Sequence, residues 1–436
     1  MPTVCVIGAG SSGITAVREL AERGIPFDCY EASDRVGGTW VFGNPNGMSA
    51  AYRSLHINTS RDRMGYAAYP MPADLPDFPH HTHIAAYFDA YVDHFGLRDR
   101  ITFETRVTHA ARREDGGWDV TVAPGGTRAY DVLIVANGHH WDPRWPEPPF
   151  PGHDRFAGVQ MHAHDYTGDD PALFRDRHVV VLGMGNSAMD IAVQSSFAAR
   201  RTYLAARRGA WIIPKYLFGR PLDTLGGSAR VPYAVRRRFH SSALRLMVGR
   251  PERYGLPMPD HPFGAAHPTV SDDVLSRIAH GEITPKPNLA ELGERTVRFT
   301  DGTEAEADVI VYCTGYKVTF PFFDPQLISA PDNDLPLFKR VFHPDVPGVY
   351  FLGLLQPLGA VMPLAELQSA WICDHLEGRY VLPPEAEVRA DMAAERAAMF
   401  RRYVPSKRHT MQVDFEDYVL AVRRERRRGA RRAVRA

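Results

Sequence analysis

The sequence predicts an α/β fold with two Rossmann-like dinucleotide-binding domains, and three observations support this prediction. A β-branched run, spaced glycines and a helical pattern follow one another in "TVCVIGAGSSGITAVREL" (3–20). The same order returns in "HVVVLGMGNSAMDIAVQ" (178–194). The length of 436 residues also exceeds one ordinary hydrophobic core and suits two or three domains.

The first glycine turn has the G-x-G-x-x-G spacing, formed by Gly8, Gly10 and Gly13 between a short strand and a helix. Gly8 permits the tight turn, Gly10 lets the backbone approach a pyrophosphate, and Gly13 lets helix and strand pack closely. The N-terminus of the helix then faces the anion. The next strand, "FDCYEA", ends in Glu31, where a carboxylate bonds ribose hydroxyls and repels a 2′-phosphate. This site therefore predicts FAD or NAD rather than NADP.

The second turn has the G-x-G-x-x-A spacing, with Gly183 and Gly185 as its glycines. Asn186 and Ser187 follow directly and are expected to contact the same nucleotide.

The strand after this turn, "RTYLAARRG", ends in Arg207 and Arg208 instead of an acid. A guanidinium matches a 2′-phosphate, which predicts NADPH. The alternative is a basic strand end on the surface, but the position at the tip of the second strand favours the cofactor. FAD and NADPH in one chain predict hydride transfer from nicotinamide to flavin.

The composition excludes several other classes of protein. The chain is 44% hydrophobic, 23% charged and formally neutral, so charge does not predict a nucleic-acid or membrane partner. No apolar run approaches the ~18 residues that a transmembrane segment needs, and the N-terminus lacks a basic leader. Four cysteines suit a reducing compartment. We therefore expect a cytoplasmic protein.

Two kinds of redox or metal site are also disfavoured. No C-x-x-C pair exists, which argues against a disulfide reductase, and Cys5, Cys29 and Cys313 are expected to be buried small hydrophobes. The histidines show no H-E-x-x-H or Cys/His pattern, so no metal is expected.

The segment before the second glycine turn carries a resemblance. Phe156, Gly158, His162 and Tyr166 give F-x-G-x-x-x-H-x-x-x-Y, which resembles the fingerprint of flavin-containing monooxygenases. The alternative for any one of these residues is a loop position with chance spacing. The family pattern also appears, in the family's order and over about residues 2–375, in "EASDRVGGTW", "SLHINTSRDRMGY", "ANGHH", "RRGAWIIPK", "VYCTGYKVTFPF" and "FLGLLQPLGAVMPLAELQSAW".

The resemblance implies an NADPH- and O2-dependent FAD monooxygenase that acts through a C4a-hydroperoxyflavin on soft nitrogen or sulfur nucleophiles of small molecules. Baeyer–Villiger monooxygenases end the same fingerprint in Trp, where this chain has Tyr166, which favours oxygenation of an amine or sulfide over that of a ketone. Baeyer–Villiger oxygenation and an uncoupled NADPH oxidase are the alternatives. The family also suggests a homodimer.

The resemblance further implies roles for single residues. Asn58 is the expected catalytic residue, because its amide donates and accepts hydrogen bonds without titrating; the alternative, which the sequence alone favours, is a helix start at Asn58, Thr59 and Ser60. His162 and Tyr166 are expected to link the FAD and NADP domains, and Gln356 with Gly359 to begin a helix facing the flavin. The remaining expected cofactor contacts are Gly38, Trp40, Thr59, Ser60, Val107, Gly138, Thr314 and Gly315.

The expected domains are an FAD domain in two parts, 1–155 and 306–436, and an NADPH domain at 156–305. "DVLIVANG" (131–138) and "DVIVYCTG" (308–315) are expected to be closing strands of the FAD domain. An insertion at about 217–284 is expected to shape substrate access, or else to place a basic amphipathic helix on a membrane. The tail "RRERRRGARRAVRA" holds eight arginines and one glutamate. It is expected to be a frayed, solvated end without a function, although an arm for nucleic acid or acidic membranes is the alternative.

Overall fold

The computed structural model describes residues 1–225, 242, 248–403 and 410–435. Within these residues the helices α1 to α8 are Gly13–Glu22, Arg61–Met64, His81–His94, Asn186–Ser195, Val274–Ala279, Met362–Leu376, Glu385–Arg402 and Phe415–Ala433. The strands β1 to β24 are Val4–Ile7, Phe27–Tyr30, Ile101–Thr102, Arg106–Arg112, Trp118–Ala123, Thr127–Tyr130, Val132–Val135, Asp142–Pro143, Val159–His162, His178–Leu182, Arg201–Ala206, Ile212–Ile213, Tyr216–Leu217, Arg220–Pro221, Thr269–Val270, Ile283–Pro287, Leu289–Leu292, Thr296–Phe299, Glu304–Glu306, Val309–Tyr312, Tyr316–Lys317, Val349–Phe351, Gln356–Leu358 and Gln412–Asp414.

The chain forms two compact units. The first unit contains Met1–Ala51, Leu55–Asp142 and Lys317–Ala436, and the second contains Tyr52–Ser54 and Pro143–Tyr316. No described helix is both long enough and apolar enough to cross a bilayer.

The first unit is built on a parallel sheet in the order β22-β7-β1-β2-β3. Successive residues of its central strand point to opposite faces, so that Val4 and Val6 join one core and Cys5 and Ile7 another. The first core is closed by α1 and α6, through residues such as Leu20. The second is closed by the antiparallel sheet β4-β5-β6. A sheet buried on both faces requires β1 to be continuously apolar, as "VCVI" is.

The second unit repeats this plan with the parallel order β16-β11-β10-β20-β9. The glycine-turn helix α4 follows β10 directly, as α1 follows β1 in the first unit. Both units therefore contain the strand–turn–helix that the sequence predicts, and the predicted fold class of two Rossmann-like domains is confirmed.

The boundaries between the units differ from the expected ones. The chain enters the second unit at 142/143 instead of 155/156, and the Leu292 N–H holds the Pro151 carbonyl oxygen at 2.8 Å within that unit. It leaves at 316/317 instead of 305/306. The strand β20 was expected to close the first unit, but it pairs in parallel with β10 and β9 in the second. "DVIVYCTG" has the same pattern as "DVLIVANG" because both are buried central strands, so the pattern alone could not assign them to different sheets.

Two further expectations concern the insertion and the tail. Much of "RRRFHSSALRLMVGR" (236–250), where a basic amphipathic helix was expected, lies outside the described residues. The expectation of a frayed tail was wrong: "RRERRRGARRAVR" belongs to α8 and the turn after it, and Tyr418, Val422, Glu425 and Gly429 bury one side of that helix. The tail lacks an obvious apolar face because glutamate and glycine supply half of the buried positions.

Candidate cofactor and active sites

The first glycine turn has the local geometry that its spacing requires. Gly8 has φ of +97°, and a Cβ there would lie 2.8 Å from the Ala136 carbonyl oxygen. A Cβ at Gly13 would lie 1.9 Å from the Gly8 carbonyl oxygen, so that helix α1 can approach β1 only through a glycine. At Gly10 a Cβ would meet only the backbone of Gly38, at 3.7 Å and 3.9 Å. The protein itself therefore leaves the space above Gly10 open, as the approach of a pyrophosphate requires.

Glu31 lies at the end of β2, with 5% of its surface exposed. One carboxylate oxygen accepts the Ala9 N–H at 2.7 Å, and the other accepts the Ser33 N–H at 2.8 Å. Burial raises the pKa of Glu31, and the N–H groups of Ala9, Ser33 and Ala32 oppose that rise. Because a carboxylate accepts about four hydrogen bonds, at least one site remains for a ribose hydroxyl.

An open cavity with an empty volume of about 1030 Å³ lies over this turn, entirely within the first unit. Its lining includes both the start of α1 and the end of β2. The predicted residues that line it are Gly8, Gly10, Glu31, Gly38, Val107 and Gly138. An open cavity, a helix N-terminus and a buried acid together fit the dinucleotide half of FAD.

The cavity also has lining residues that sequence reasoning missed. Ser11 and Ser12 occupy the variable positions of the glycine motif, and Gly353 follows β22. Arg106 lies beside Val107 and donates to the Asn46 carbonyl oxygen at 3.2 Å. The serines could have been found from the motif, whereas Gly353 has no signal of its own in the sequence.

Other residues predicted in the first unit do not line this cavity. Gly13 packs under the turn, and Trp40 is half-buried in a short turn against the first core. Asn58 and Thr59 lie in a bend, and Ser60 precedes α2 in the N-cap position without a capping bond from its side chain. The helix-start interpretation is thus correct for Ser60. Within the described residues no hydrogen bond engages the Asn58 amide, which is half-buried.

Gln356 was expected at a helix start and is found in a strand. It begins β23, and its N–H donates to the Met411 carbonyl oxygen at 2.9 Å. The following helix, α6, begins only at Met362. This segment is a strand because β23 pairs with β24, which lies more than fifty residues away in the chain. Gly359 has φ of +138° and ends the strand against Phe415.

The second glycine turn resembles the first in its packing. A Cβ at Gly183 would lie 2.5 Å from the Cys313 carbonyl oxygen, and Gly185 caps helix α4. Asn186 and Ser187 form the first turn of that helix, and the Asn186 Oδ1 accepts the Val270 N–H at 2.9 Å. This turn of α4 is therefore held in place from outside the helix.

Arg207 and Arg208 follow β11, and both are exposed. The Arg208 Nε lies 3.7 Å from Asp260 Oδ2, a pair that is half exposed to water and therefore weak. Arg207 has no ion pair among the residues that the structure describes. The Arg207 guanidinium is thus free to meet a phosphate beside the second turn, and the weak pair with Asp260 leaves Arg208 exposed to one as well.

His162 and Tyr166 are buried inside the second unit. The His162 Nδ1 accepts the His164 N–H at 3.0 Å, and its Nε2 has no hydrogen-bond partner among the described residues. Burial lowers the pKa of His162 to about 4, so the imidazole is neutral. The Tyr166 hydroxyl donates to Gln194 Oε1 of α4 at 2.5 Å. Tyr166 therefore supports the helix of the second nucleotide turn from its own unit, whereas the His162 ring accepts a bond from its neighbour His164.

Thr314 and Gly315 lie just after β20. The Thr314 hydroxyl donates to the Arg144 carbonyl oxygen at 2.5 Å, and the Arg144 N–H returns a bond of 2.9 Å to the Gly315 carbonyl oxygen. Gly315 has φ of +84° and no heavy atom near its missing Cβ. The pair of bonds fixes the chain immediately before it leaves the second unit.

A buried polar cluster near α4 was not foreseen. The Tyr52 hydroxyl donates a short hydrogen bond to Asp190 of α4, and both groups lie in the second unit. Burial raises the pKa of Asp190 and lowers that of Lys215, whose positive charge opposes the rise at Asp190. The signal for Asp190 was its place in "GMGNSAMD", but nothing nearby in the sequence indicates Tyr52 as its partner.

Comparison with known proteins shows the family of this chain. A family model described as flavin-binding monooxygenase-like matches residues 2–425. The chain is 36% identical to flavin-containing monooxygenase 5 of Rattus norvegicus over 434 residues, which cover 95% of this chain and 80% of that protein. It is 33% identical over 436 residues to the N-oxide-forming dimethylaniline monooxygenase 2 of Rattus norvegicus, with coverages of 95% and 81%.

The structure is also similar to that of S-allyl-L-cysteine S-oxygenase from Allium sativum. The TM-score is 0.73 at 26% identity, over 100% of this chain and 92% of that chain. Sequence and structure thus lead to one conclusion: the chain belongs to the flavin-binding monooxygenase-like family and is an FAD-dependent, NADPH-consuming monooxygenase.

Proposed function

We propose that this enzyme oxygenates a soft nucleophilic nitrogen or sulfur atom of a small molecule, with FAD held by the first unit and NADPH by the second. The observation that carries the assignment of the cofactors is the opposite charge after the second strand of each sheet. Glu31 is buried at the first turn, and Arg207 and Arg208 are exposed at the second. A 2′-phosphate would be repelled at the first position and attracted at the second.

The chain's own residues position the two cofactors and exclude water from the site. When bound, FAD accepts a hydride from NADPH and activates dioxygen, so that one oxygen atom enters the substrate and the other leaves as water. Gly8, Gly10 and Glu31 hold the dinucleotide part of FAD, and the start of α4 with Arg207 holds NADPH. No acid–base pair has to activate an amine or sulfide, which is already nucleophilic. Water must be excluded from the site, since its entry lets the activated oxygen leave as hydrogen peroxide instead of being transferred to the substrate.

Asn58 is the proposed catalytic residue. Its amide can donate and accept at once, does not titrate, and is not engaged by any hydrogen bond in the described residues. In this proposal it hydrogen-bonds the flavin.

Oxygenation at nitrogen or sulfur is favoured over ketone oxygenation by Tyr166. Baeyer–Villiger enzymes have Trp at this position of the fingerprint, whereas the Tyr166 hydroxyl here donates to Gln194 in a site with 4% exposure. The names of two relatives, an N-oxide-forming and an S-oxygenating enzyme, support the same choice. A cytoplasmic homodimer is part of the proposal.

The test uses the holoenzyme with NADPH, oxygen and, in separate reactions, dimethylaniline, methyl phenyl sulfide or cyclohexanone. Consumed NADPH, hydrogen peroxide and product mass are measured together. An N-oxide or sulfoxide formed in proportion to NADPH supports the proposal. A lactone formed in preference would favour the ketone oxygenase, and peroxide with every substrate would favour an oxidase.

The role of Asn58 has its own test. In Asn58→Ala the product formed per NADPH should fall on the order of 100-fold while peroxide rises, because a positioned donor is lost. Asn288→Ala is the matched control, since that half-buried amide lies in the second unit and likewise makes no hydrogen bond in the described residues. Equal coupling in the two variants would remove Asn58 from the site.

A further inference from the structure

Helix α8 (Phe415–Ala433) has two faces of opposite character. Its buried side is formed by residues that recur every three or four positions, Tyr418, Val422, Glu425 and Gly429. A Cβ at Gly429 would lie 1.9 Å from the ring of Tyr380, so the backbone of α8 is in close contact with its own unit there. The helix is therefore fixed along one whole side.

Two arginines at the edge of that side contribute to the docking. The Arg426 Nε donates to Asp374 of α6 at 3.0 Å, and the Arg432 Nε donates to the Val381 carbonyl oxygen at 2.9 Å. Arg432 also pairs with the buried Glu425 of its own helix. Arg426 and Arg432 therefore have their hydrogen-bond and ion-pair partners within the protein itself.

The opposite side of α8 is an arginine face, exposed to solvent. In the described part of the chain none of its arginines has an ion pair, in contrast to Arg426 and Arg432. The residues of the arginine face are Arg423, Arg424, Arg427, Arg428 and Arg431 of the helix, with Arg435 in the turn after it. The spacing of one, three, one and three residues keeps the five helical arginines on one side of a helix with 3.6 residues per turn.

Placing these arginines on one face of a helix costs electrostatic free energy. From Arg423 to Arg431 the face extends about 12 Å along the helix at 1.5 Å per residue, and like charges one turn apart repel each other. The whole chain has 51 basic and 51 acidic residues, so the face is a local accumulation and not a property of a basic protein. An anionic partner would relieve the repulsion.

Two observations indicate a flat anionic partner with an apolar interior. Leu420 and Val434 lie on the arginine side near its two ends, and they are 39% and 89% exposed. A bilayer surface accepts arginines at its headgroups and such side chains just below them. The arginine face has no aromatic residue for stacking on single strands, and its exposed leucine and valine match an apolar bilayer interior better than the polar grooves of a duplex.

We propose that the arginine face of α8 docks the enzyme on an anionic phospholipid bilayer as a peripheral protein. The proposal does not depend on which substrate atom is oxygenated.

The test is co-sedimentation of the full-length holoenzyme with vesicles of phosphatidylcholine alone, or of phosphatidylcholine mixed with phosphatidylglycerol. We expect binding only to the anionic vesicles, and its loss at high salt. An arginine near such a surface strengthens binding roughly fivefold. Changing Arg423, Arg427 and Arg431 together to Gln should therefore weaken binding on the order of 100-fold.

The matched control changes three exposed arginines of the second unit, Arg175, Arg200 and Arg201, to Gln. It should bind as the parent does, and both variants should keep the parent's melting temperature and FAD content. Equal binding to neutral and anionic vesicles, or no binding, would overturn the proposal. So would binding of DNA without binding of vesicles, or a self-association that the α8 variant abolishes.

Discussion

Gly158 is required beside Phe156 because the Phe156 ring fills the space where a side chain at position 158 would lie. Phe156 is buried in a core of the second unit, and a Cβ at Gly158 would lie 2.6 Å from its ring and 2.5 Å from the Asp308 carbonyl oxygen. His162 and Tyr166, further along, are instead polar groups placed in a dry environment. At the residue scale, the fingerprint thus combines one close-packing requirement with two buried polar side chains.

Gly158→Ala should lower the free energy of unfolding by about 1–3 kcal/mol, because both contacts of the added methyl group are with groups that have little room to move. Chemical denaturation of the variant and the parent measures this difference. Gly126→Ala is the matched control, since nothing lies within 4 Å of a Cβ there. Equal stability of the two variants would show that the Gly158 site relaxes freely.

The buried imidazole of His162 should make stability depend on pH. Burial lowers its pKa from 6.5 to about 4, so the folded state holds it neutral while the unfolded chain binds a proton near neutral pH. Its contribution is therefore present above pH 6.5 and is lost as the pH falls towards 4, with a slope of about 1.4 kcal/mol per pH unit at most.

The measurement compares the free energy of unfolding across this pH window in the parent and in His162→Gln. In the variant the free energy of unfolding should depend less steeply on pH, by the contribution of one titrating group, whatever the stability of the variant at neutral pH. Parallel pH profiles would contradict a buried neutral His162.

At the scale of elements, the last helix is connected to the cofactor cavity by buried hydrogen bonds. The Tyr418 hydroxyl of α8 accepts from Gln368 Nε2 of α6 at 2.7 Å and donates to the Lys339 carbonyl oxygen at 2.7 Å. The Gln368 Oε1 accepts the N–H of Gly353, a residue that lines the cavity, at 2.9 Å. The segment expected to be a free tail thus supports the wall of the proposed FAD site.

Tyr418→Phe should lower the free energy of unfolding by about 1–3 kcal/mol, since it leaves buried polar groups on Gln368 and Lys339 without a partner. Release of FAD, followed by flavin fluorescence, should be faster than in the parent. Tyr254→Phe is the control, because that hydroxyl makes no hydrogen bond in the described residues. Unchanged release of FAD would separate α8 from the cavity.

At the scale of the whole molecule, the two units repeat one architecture with different chemistry. Each has a five-stranded parallel sheet whose central strand leads through a glycine turn into a helix. In the proposal the carboxylate after the second strand of one sheet and the arginines after the second strand of the other decide which nucleotide each unit binds.

Hydrogen exchange should therefore separate the two nucleotide sites. Adding NADP+ to the FAD-bound enzyme should protect residues 183–190 and the strand end at Arg207, and leave 8–13 unchanged. Arg207→Ala should weaken binding of NADP+ by about tenfold or more, and that of NAD+ much less, because a charge-assisted hydrogen bond to the 2′-phosphate is lost. Arg201→Ala, at the other end of the same strand, is the control. Protection centred on 8–13 would reverse the assignment.

The parts of the fold that were predicted correctly depend on short stretches of chain. Both glycine turns, their strands and their helices lie within about twenty residues each, and Gly13 is required by a contact with Gly8 in the same turn. Gly8 and Gly183 are required instead by close contacts with Ala136 and Cys313, which follow the neighbouring strands. The family and the cofactors followed from the same stretches and from the fingerprint, and both are confirmed. The role of Asn58 stays a prediction.

The sequence by itself determined the fold class, the two nucleotide turns and the family, because local periodicity and glycine spacing are sufficient for each. Only the tertiary structure decided which sheet receives β20, that Gln356 lies in a strand, and that the arginine-rich end is a docked helix. Each of these depends on a partner far away in the chain: β10 for β20, β24 for Gln356 and Tyr380 for Gly429. Pairing and close packing between distant segments leave no periodic signal in either segment alone, and for that reason they become visible only when the chain is folded.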